Sequence, residues 1–355
     1  MAVEPRFTDL LSGRASVDPS DMLGLLEAFP EQMALAWKIG DAFVSRLGEK
    51  DASRIVVCGM GGSAIGGDLV RSYLGNNLRV PLHVNRGYSI PESAVDGAFF
   101  VFSSYSGNTG EALAAYDQVR GMTAGAVAIT SGGELEARAR QDGIPVCSIP
   151  GGMPPRSAIA YSFFPLLRVL VHVGLATMPA GEFEAAVPIV SETCARFLSE
   201  TSDNEAAELA LRIEGKLPFV YSCGGLFEAV ARRWSCQFNE NGKTLAHHAI
   251  FTESNHNEIV GWKALETVRS SIALISLEDE DDHEMARNQR DVALEIIKPL
   301  AGDVIRKGDF KGGRMVRMLC AMLLGDFVSV YTAYINNLDP TPVSNIDFLK
   351  ERLKN

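Results

Sequence analysis

The chain has 355 residues, 46% hydrophobic and 22% charged, with a formal net charge of -11. That length and balance suit roughly two globular domains and exclude a disordered or collagen-like chain. A broadly acidic surface disfavours nucleic acid and anionic membrane as partners, while a small anion stays admissible because a local nest of backbone N–H groups can hold it. Residues 18–49 read as helices, since DPSDMLGLLEAFPEQMALAWKIGDAF places apolar residues at helical spacing. RIVVCGMGGSAIGGDLVRSYL then gives a short apolar strand, a Gly-rich turn and an amphipathic helix. LRVPLHVNRG is a strand region, AFFVFSSYSGNTGEALAAYDQV and AGAVAITSGGELEARARQDG repeat the strand–turn–helix unit, and IPVCSIPGG is one more strand. Pro154-Pro155-Arg156 closes the unit. IAYSFFPLLRVLVHVGL is a helix, and residues 182–213 read as a polar helical connection.

LPFVYSCGGLFEAVARRWSCQFNE restarts the pattern, and SSIALISLEDEDDHEMARNQRDVALEII adds a strand and a helix. The charge run LEDEDDHE reads as a solvated loop or a helix N-terminus. Strands alternating with helices predict an α/β fold of two related, doubly wound lobes with parallel sheets flanked by helices. The expected division is an N-terminal helical segment at 1–48, a first lobe at 49–190 and a second at 191–355 with a C-terminal helix. The six cysteines form no CxxC pair and read as reduced, mostly buried thiols. MAVEPRFTDLLSGRAS has no apolar signal core, and apolar windows such as PLLRVLVHVGLA contain Arg or His and are too short to span a bilayer. A soluble cytoplasmic protein is expected.

Two stretches carry the anion chemistry. GMGGSAIGG follows a strand and opens a helix, so its backbone can turn sharply and present free N–H groups. Its spacing departs from the dinucleotide fingerprint, and no Gly-Lys-Ser/Thr of a P-loop occurs. SSYSGNTGEAL places the hydroxyls of Ser104, Ser106 and Thr109 at a strand–helix junction, where they suit phosphate oxygens, with Glu111 in the first helical turn. Ligands in such sheets sit at the carboxyl ends of the strands. The second lobe has Leu226 where the first has Ser63, so only the first looks built for an anion.

SSYSGNTGEAL resembles the phosphosugar-binding loop of the sugar isomerase (SIS) domain family. Together with GMGGSAIGGDL, PPRSA, NENGK, NHNEIVGW and the tail YINNLDPTPVSNIDFLKERL, it resembles the bifunctional phosphoglucose/phosphomannose isomerases over nearly the whole chain from about residue 50. The resemblance implies that Gly61, Gly62 and Ser63 line the sugar end of the site and that Ser104, Ser106 and Thr109 hold the 6-phosphate. It implies that Arg156 stabilises the enediolate, that Glu240 is the general base, and that His256, contributed from a neighbouring subunit, opens the ring. Lys350, with Lys354 close behind it, resembles the lysine that approaches the ring oxygen. The implied protein is a homodimer with shared sites, acting on hexose 6-phosphates without metal or cofactor.

The chemistry asks for these residue types. Ring opening needs proton traffic near neutral pH, which suits His. Proton transfer between C2 and C1 suits a carboxylate, and an Arg guanidinium stabilises the enediolate without titrating. Glu240 closes QFNE, where a helix is expected to end, with Asn239 and Asn241 beside it to orient it. His256 lies in a polar turn between Asn255 and Asn257, and Arg156 follows two prolines that stiffen its loop. Adjacent His247 and His248 would face opposite ways in a strand, with His248 a candidate second substrate-side group. Glu253 and Glu258 read as helix-start or dimer-contact residues. The small and hydroxylated residues of DPTPVSN lean towards room for both C2 epimers. A non-catalytic phosphosugar regulator and an isomerase of amino-sugar phosphates are the alternatives.

Overall fold

A computed structural model of the chain describes residues 14–122, 125–201 and 203–353. Residues 1–13 of the expected N-terminal segment, and Lys354, lie outside them. Packing divides the chain into the unit Ala28–Pro188 and a second unit that joins the described residues up to Glu27 to those from Ile189.

In Ala28–Pro188, five parallel strands run in the order β2-β1-β3-β4-β5. They are β1 (Arg54–Cys58), β2 (Leu82–Asn85), β3 (Ala98–Ser104), β4 (Gly125–Thr130) and β5 (Val146–Ser148). The helices are α1 (Phe29–Val44), α2 (Gly61–Leu74), α3 (Gly110–Val119), α4 (Gly133–Gln141) and α5 (Ile159–His172). Every residue of β3, AFFVFSS, is buried, as a central parallel strand covered on both faces requires. Phe100 and Phe102 pack with Tyr116, Ala128 and Leu135 in one core. From β1 the chain goes to one side for β2 and then to the other for β3. The loops after β1 and β3 therefore diverge and open a crevice at the strands' carboxyl ends.

Helix α1 packs on α5 at Gly40, where a Cβ would lie 2.9 Å from Arg168 Cγ and 3.3 Å from Pro165 Cα. Its Trp37 stacks on Phe183 at 4.0 Å. Within the expected N-terminal helical segment at 1–48, α1 groups with this unit and the described residues up to Glu27 with the other. Apolar spacing predicted the helix; its partner lies far along the chain.

The second unit has a parallel sheet in the order β7-β6-β8-β9, from β6 (Leu217–Ser222), β7 (His247–Ile250), β8 (Ile272–Leu277) and β9 (Asp303–Lys307). Strands β7 and β9 are additions to the sequence reading. The helices are α6 (Glu182–Phe197), which carries the division between units beside Pro188, α7 (Glu205–Arg212), α8 (Glu228–Glu240), α9 (Glu284–Ile297), α10 (Arg314–Ile335) and α11 (Ser344–Arg352). The expected polar connection is corrected at α7, whose Ala206, Ala207, Leu209 and Ala210 are buried in a helix packed on α10.

Helix α10 also corrects the reading of apolar windows. At 22 residues and mean hydropathy 1.6 it is long and apolar enough to cross a membrane, yet 94% of that window is buried inside the protein. It is the central helix of this unit. Trp234 of α8 donates from Nε1 to Ala321 O at 2.8 Å, and a Cβ at Gly325 would sit 2.3 Å from its ring. Arg233 of α8 donates to both carboxylate oxygens of Asp326 at 3.0 and 2.8 Å, and Gln237 Nε2 adds a third bond at 3.0 Å. At the far end Tyr334 donates to Asp18 at 2.8 Å, whose carboxylate also takes the Met22 and Leu23 N–H groups.

The run LEDEDDHE is only partly solvated. His283 does cap α9, accepting from Met285 N at 3.1 Å. Asp279 is buried, however, and pairs with Arg317 Nε at 2.7 Å, while Arg317 also binds Glu280 and Asp281. All six cysteines are free; four are buried, Cys223 is half-buried and Cys236 exposed.

Candidate active site

The site in Ala28–Pro188 grows from the crevice after β1 and β3. Between β1 and α2 the turn is only Gly59 and Met60, so Gly61, Gly62 and Ser63 form the first turn of the helix and not a loop before it. The Gly61 and Gly62 N–H groups stand at the positive end of α2, where intrahelical acceptors run short, while the Ser63 N–H already donates to Met60 O at 3.0 Å. Gly62 permits a close approach, because a Cβ there would lie 2.6 Å from Pro155 O. This sets the start of α2 against the turn that bears Arg156. Arg156 is 5% exposed, so it is a buried cation on a proline-stiffened turn.

The Ser63 hydroxyl accepts the Tyr105 N–H at 3.1 Å, linking the two crevice loops. Buried Ser104 shares a hydrogen bond of 2.9 Å with Thr109 Oγ1 at the N-terminus of α3. Exposed Ser106 accepts the Asn108 N–H at 3.2 Å. Gly107 has φ +69° and a Cβ there would fall 1.8 Å from Gly132 O, so glycine alone fits. Of the predicted residues, Gly62 thus lies against the turn bearing Arg156 and Ser63 bonds the loop after β3, while Ser104 with Thr109, and Ser106 with Asn108, bond within that loop.

Their braces were not singled out in the sequence. Ser131 donates to Tyr105 O from both N and Oγ, at 3.1 and 2.6 Å. Glu134 N donates to Asn108 Oδ1 at 3.0 Å and Leu135 N to Gly107 O at 2.9 Å. The Gly pair in TSGGEL was the available signal. Tyr105 Oη accepts the Met153 N–H at 3.1 Å, and burial raises its pKa, keeping the phenol neutral.

In the second unit Glu240 ends α8, as its sequence position implied. Asn239 Nδ2 donates to Ser235 O at 2.6 Å, and buried Asn241 donates to Ser329 Oγ at 3.0 Å, so both amides fix the helix end. A cavity of 430 Å³ opens there, lined by Asn239, Glu240, Lys243, Pro342, Val343 and Ser344 among others. The C-terminal segment therefore supplies one wall facing Glu240. Lys350 is exposed on α11, a helix with no buried residue.

His256 is exposed in the turn after the short helix Phe251–Ser254 and is not among the residues lining the Glu240 cavity. Its neighbours hold the turn. Asn257 Nδ2 donates to Glu253 Oε1 at 2.9 Å, Asn257 Oδ1 accepts the Glu258 N–H, and Asn255 Nδ2 reaches Gln289 O at 3.4 Å. His248 bonds Ser235 Oγ through Nδ1 at 3.0 Å. Burial, with help from Arg232 and His247, lowers its pKa.

His247 instead meets Glu258 Oε2 at 3.1 Å, and Tyr221 donates to Glu258 Oε1. The hydrogen bond to Glu258 raises the His247 pKa above 6.5 against the opposing effect of burial. Burial tends to raise the Glu258 pKa, but the bonds from His247 and Tyr221 outweigh it and hold it below 4.5. The histidine's contribution is full below 6.5 and is lost as pH rises through its higher folded value. The carboxylate's contribution is full above 4.5 and is lost as pH falls through its lower folded value. The pair therefore braces the segment best between these limits. An NMR titration of His247 is expected to give a midpoint above 6.5 that drops in Glu258→Gln; a midpoint at or below 6.5 would remove the pair.

Residues 202–353 match the bacterial phospho-glucose isomerase C-terminal SIS domain. A bifunctional phosphoglucose/phosphomannose isomerase of Caldicellulosiruptor bescii is 37% identical over 326 residues, 91% of this chain and 96% of that protein. One of Aquifex aeolicus is 32% identical over 332 residues, 91% of this chain and 99% of that protein. A solved structure of a hypothetical protein from Thermus thermophilus shares the fold, with a TM-score of 0.74 over 99% of this chain and 94% of its own, at 14% identity.

Proposed function

The chain belongs to the family of bifunctional phosphoglucose/phosphomannose isomerases, and from that premise we propose that it interconverts glucose 6-phosphate and mannose 6-phosphate with fructose 6-phosphate through a cis-enediolate. The observation that carries the reading is the joined pair of loops at the switch point. There the first turn of α2 and the hydroxyls of Ser104, Ser106 and Thr109 converge beside a buried Arg156. Helix N-termini and hydroxyls suit a phosphate, and a buried guanidinium suits an enediolate.

Glu240 takes the proton from C2 and returns it to C1, and His256 moves the proton between O5 and O1 that opens the ring. Lys350 assists near the ring oxygen, and Gly61, Gly62 and Ser63 line the sugar. The two epimers differ only at C2, so one base serves both if the C2–C3 bond turns before reprotonation. The protein acts as a homodimer, each His256 completing the neighbour's site. Its exposure supports this, as do the uncovered Val260, Leu265 and Val268 in the same segment. Catalysis proceeds in the cytoplasm without metal.

The test is incubation with fructose 6-phosphate, with and without chelator, scored for both aldose phosphates. Both are expected, at rates that the chelator leaves unchanged. A single epimer narrows the specificity, chelator sensitivity overturns the metal-free step, and no product overturns the activity.

A further inference from the structure

The motif NENGK ends in a residue that the reaction has not yet used. In an Asn-Gly-Lys sequence the glycine is the natural holder of a positive φ. Here Lys243 holds it instead, at φ +51°, while Gly242 serves close packing. A Cβ on Gly242 would lie 2.9 Å from Phe238 O and 3.3 Å from Ser329 O. A left-handed backbone is unfavourable for a long side chain and persists where the surroundings impose it.

The surroundings here include three carbonyls. Lys243 Nζ donates to Glu240 O at 2.6 Å, Pro340 O at 3.0 Å and Pro342 O at 2.5 Å. An ammonium has three N–H donors, enough to serve all three of these carbonyls. One acceptor is at the negative end of α8, where a cation is favoured. The other two lie in Pro-Thr-Pro, whose prolines fix φ and whose Thr341 N–H is taken by Asp339 Oδ1 at 2.8 Å. Pro342, Val343 and Ser344 then form a wall of the cavity that holds Glu240, and α11 starts from that wall with no buried residue of its own.

We propose that Lys243 is a positioning residue: its ammonium clasps residues 340–342 to the end of α8 and so fixes the cavity wall opposite Glu240. The role rests on the reading of Glu240 as the base. It acts on the proton-transfer step and leaves the phosphate-binding loops alone, since those lie in Ala28–Pro188.

The test compares Lys243→Gly, which removes the ammonium and also relieves the positive φ, with Lys243→Met and Lys243→Arg. Amide hydrogen exchange over residues 340–353 is expected to quicken on the order of 10-fold or more in the Gly and Met variants, with Ala28–Pro188 unchanged. The kcat for fructose 6-phosphate is expected to fall on the order of 10- to 100-fold with KM within about twofold, as for a misplaced catalytic group, and Arg is expected to restore part of it. Unchanged exchange in both variants overturns the clasp. Faster exchange with unchanged kcat, or an equal loss in the Arg variant, overturns the positioning role. An inactive wild type would strike the isomerase reading, while the exchange arm would still judge the clasp.

Discussion

Glu240→Gln is expected to lower kcat by about 10²–10⁴-fold, the range over which a positioned general base contributes, with KM and the affinity for a competitive phosphosugar within a few-fold. The amide keeps the shape of the carboxylate but cannot take the C2 proton. The helix end is fixed by Asn239 on Ser235 O and Asn241 on Ser329 Oγ, neither of which the substitution touches. The phosphate contacts proposed for Ser104, Ser106 and Thr109 lie on loops braced separately by Ser131 and Glu134. Full activity in this variant would remove Glu240 as the base. Mixing Glu240→Gln chains with His256→Ala chains extends the test. Hybrids are expected to regain activity by pairing one intact Glu with one intact His across the dimer. Persistent inactivity after demonstrated subunit exchange would mean that sites are not shared.

Asp326→Ala is expected to be the most damaging single change to stability, at about 3–5 kcal/mol. Both partners are buried, Arg233 at 2% and Asp326 at 1% exposure. Burial pushes the Asp326 carboxyl upward, and Arg233 and Gln237 oppose that shift by direct bonds. Removing the carboxylate takes two bonds from the buried Arg233 guanidinium and one from the Gln237 amide between α8 and α10, so the cost is that of a buried cation losing its carboxylate. Replacing both Arg233 and Asp326 by apolar residues of similar volume is expected to cost far less, since no charge is then left behind. Urea titration of the variants decides it. A loss under about 1 kcal/mol in Asp326→Ala would show that water or another group takes over the pairing. Because α8 ends in Glu240, activity is expected to fall with this brace even though neither residue touches the Glu240 cavity.

Much of the architecture could be read from apolar runs followed by glycines and a helical period. β1 with α2, β3 with α3 and β6 with α8 each appear as expected, because a buried parallel strand is written as a continuous apolar run. Strands β7 and β9 escaped because HHAI and DVIRK are short and half polar. The burial of α10 escaped because a fully enclosed helix shows no polar face to mark its period. The division at Glu27 escaped because it depends on which distant helix each early helix packs against, and local pattern is silent on that. At the candidate site the residues with chemistry stood out by type. Tyr105, Asn108, Ser131 and Lys243 did not, since their work goes through backbone atoms of other loops.

The docking of Asp18 with Tyr334 has a bearing on the order in which a ribosome delivers this protein. Ala28–Pro188 is an uninterrupted stretch whose five strands have all been translated once residue 188 has emerged. The described residues up to Glu27 are made before that stretch, yet their partner in α10 is made after it. At about 5–20 residues per second that segment waits roughly 15–60 s, the time to translate from Glu27 to Tyr334. During that interval Met22, Leu23 and Leu26 have no finished surface to cover them. The segment ahead of the continuous unit thus stays uncovered until α10 has been made, so its own unit closes only after Ala28–Pro188 can have folded.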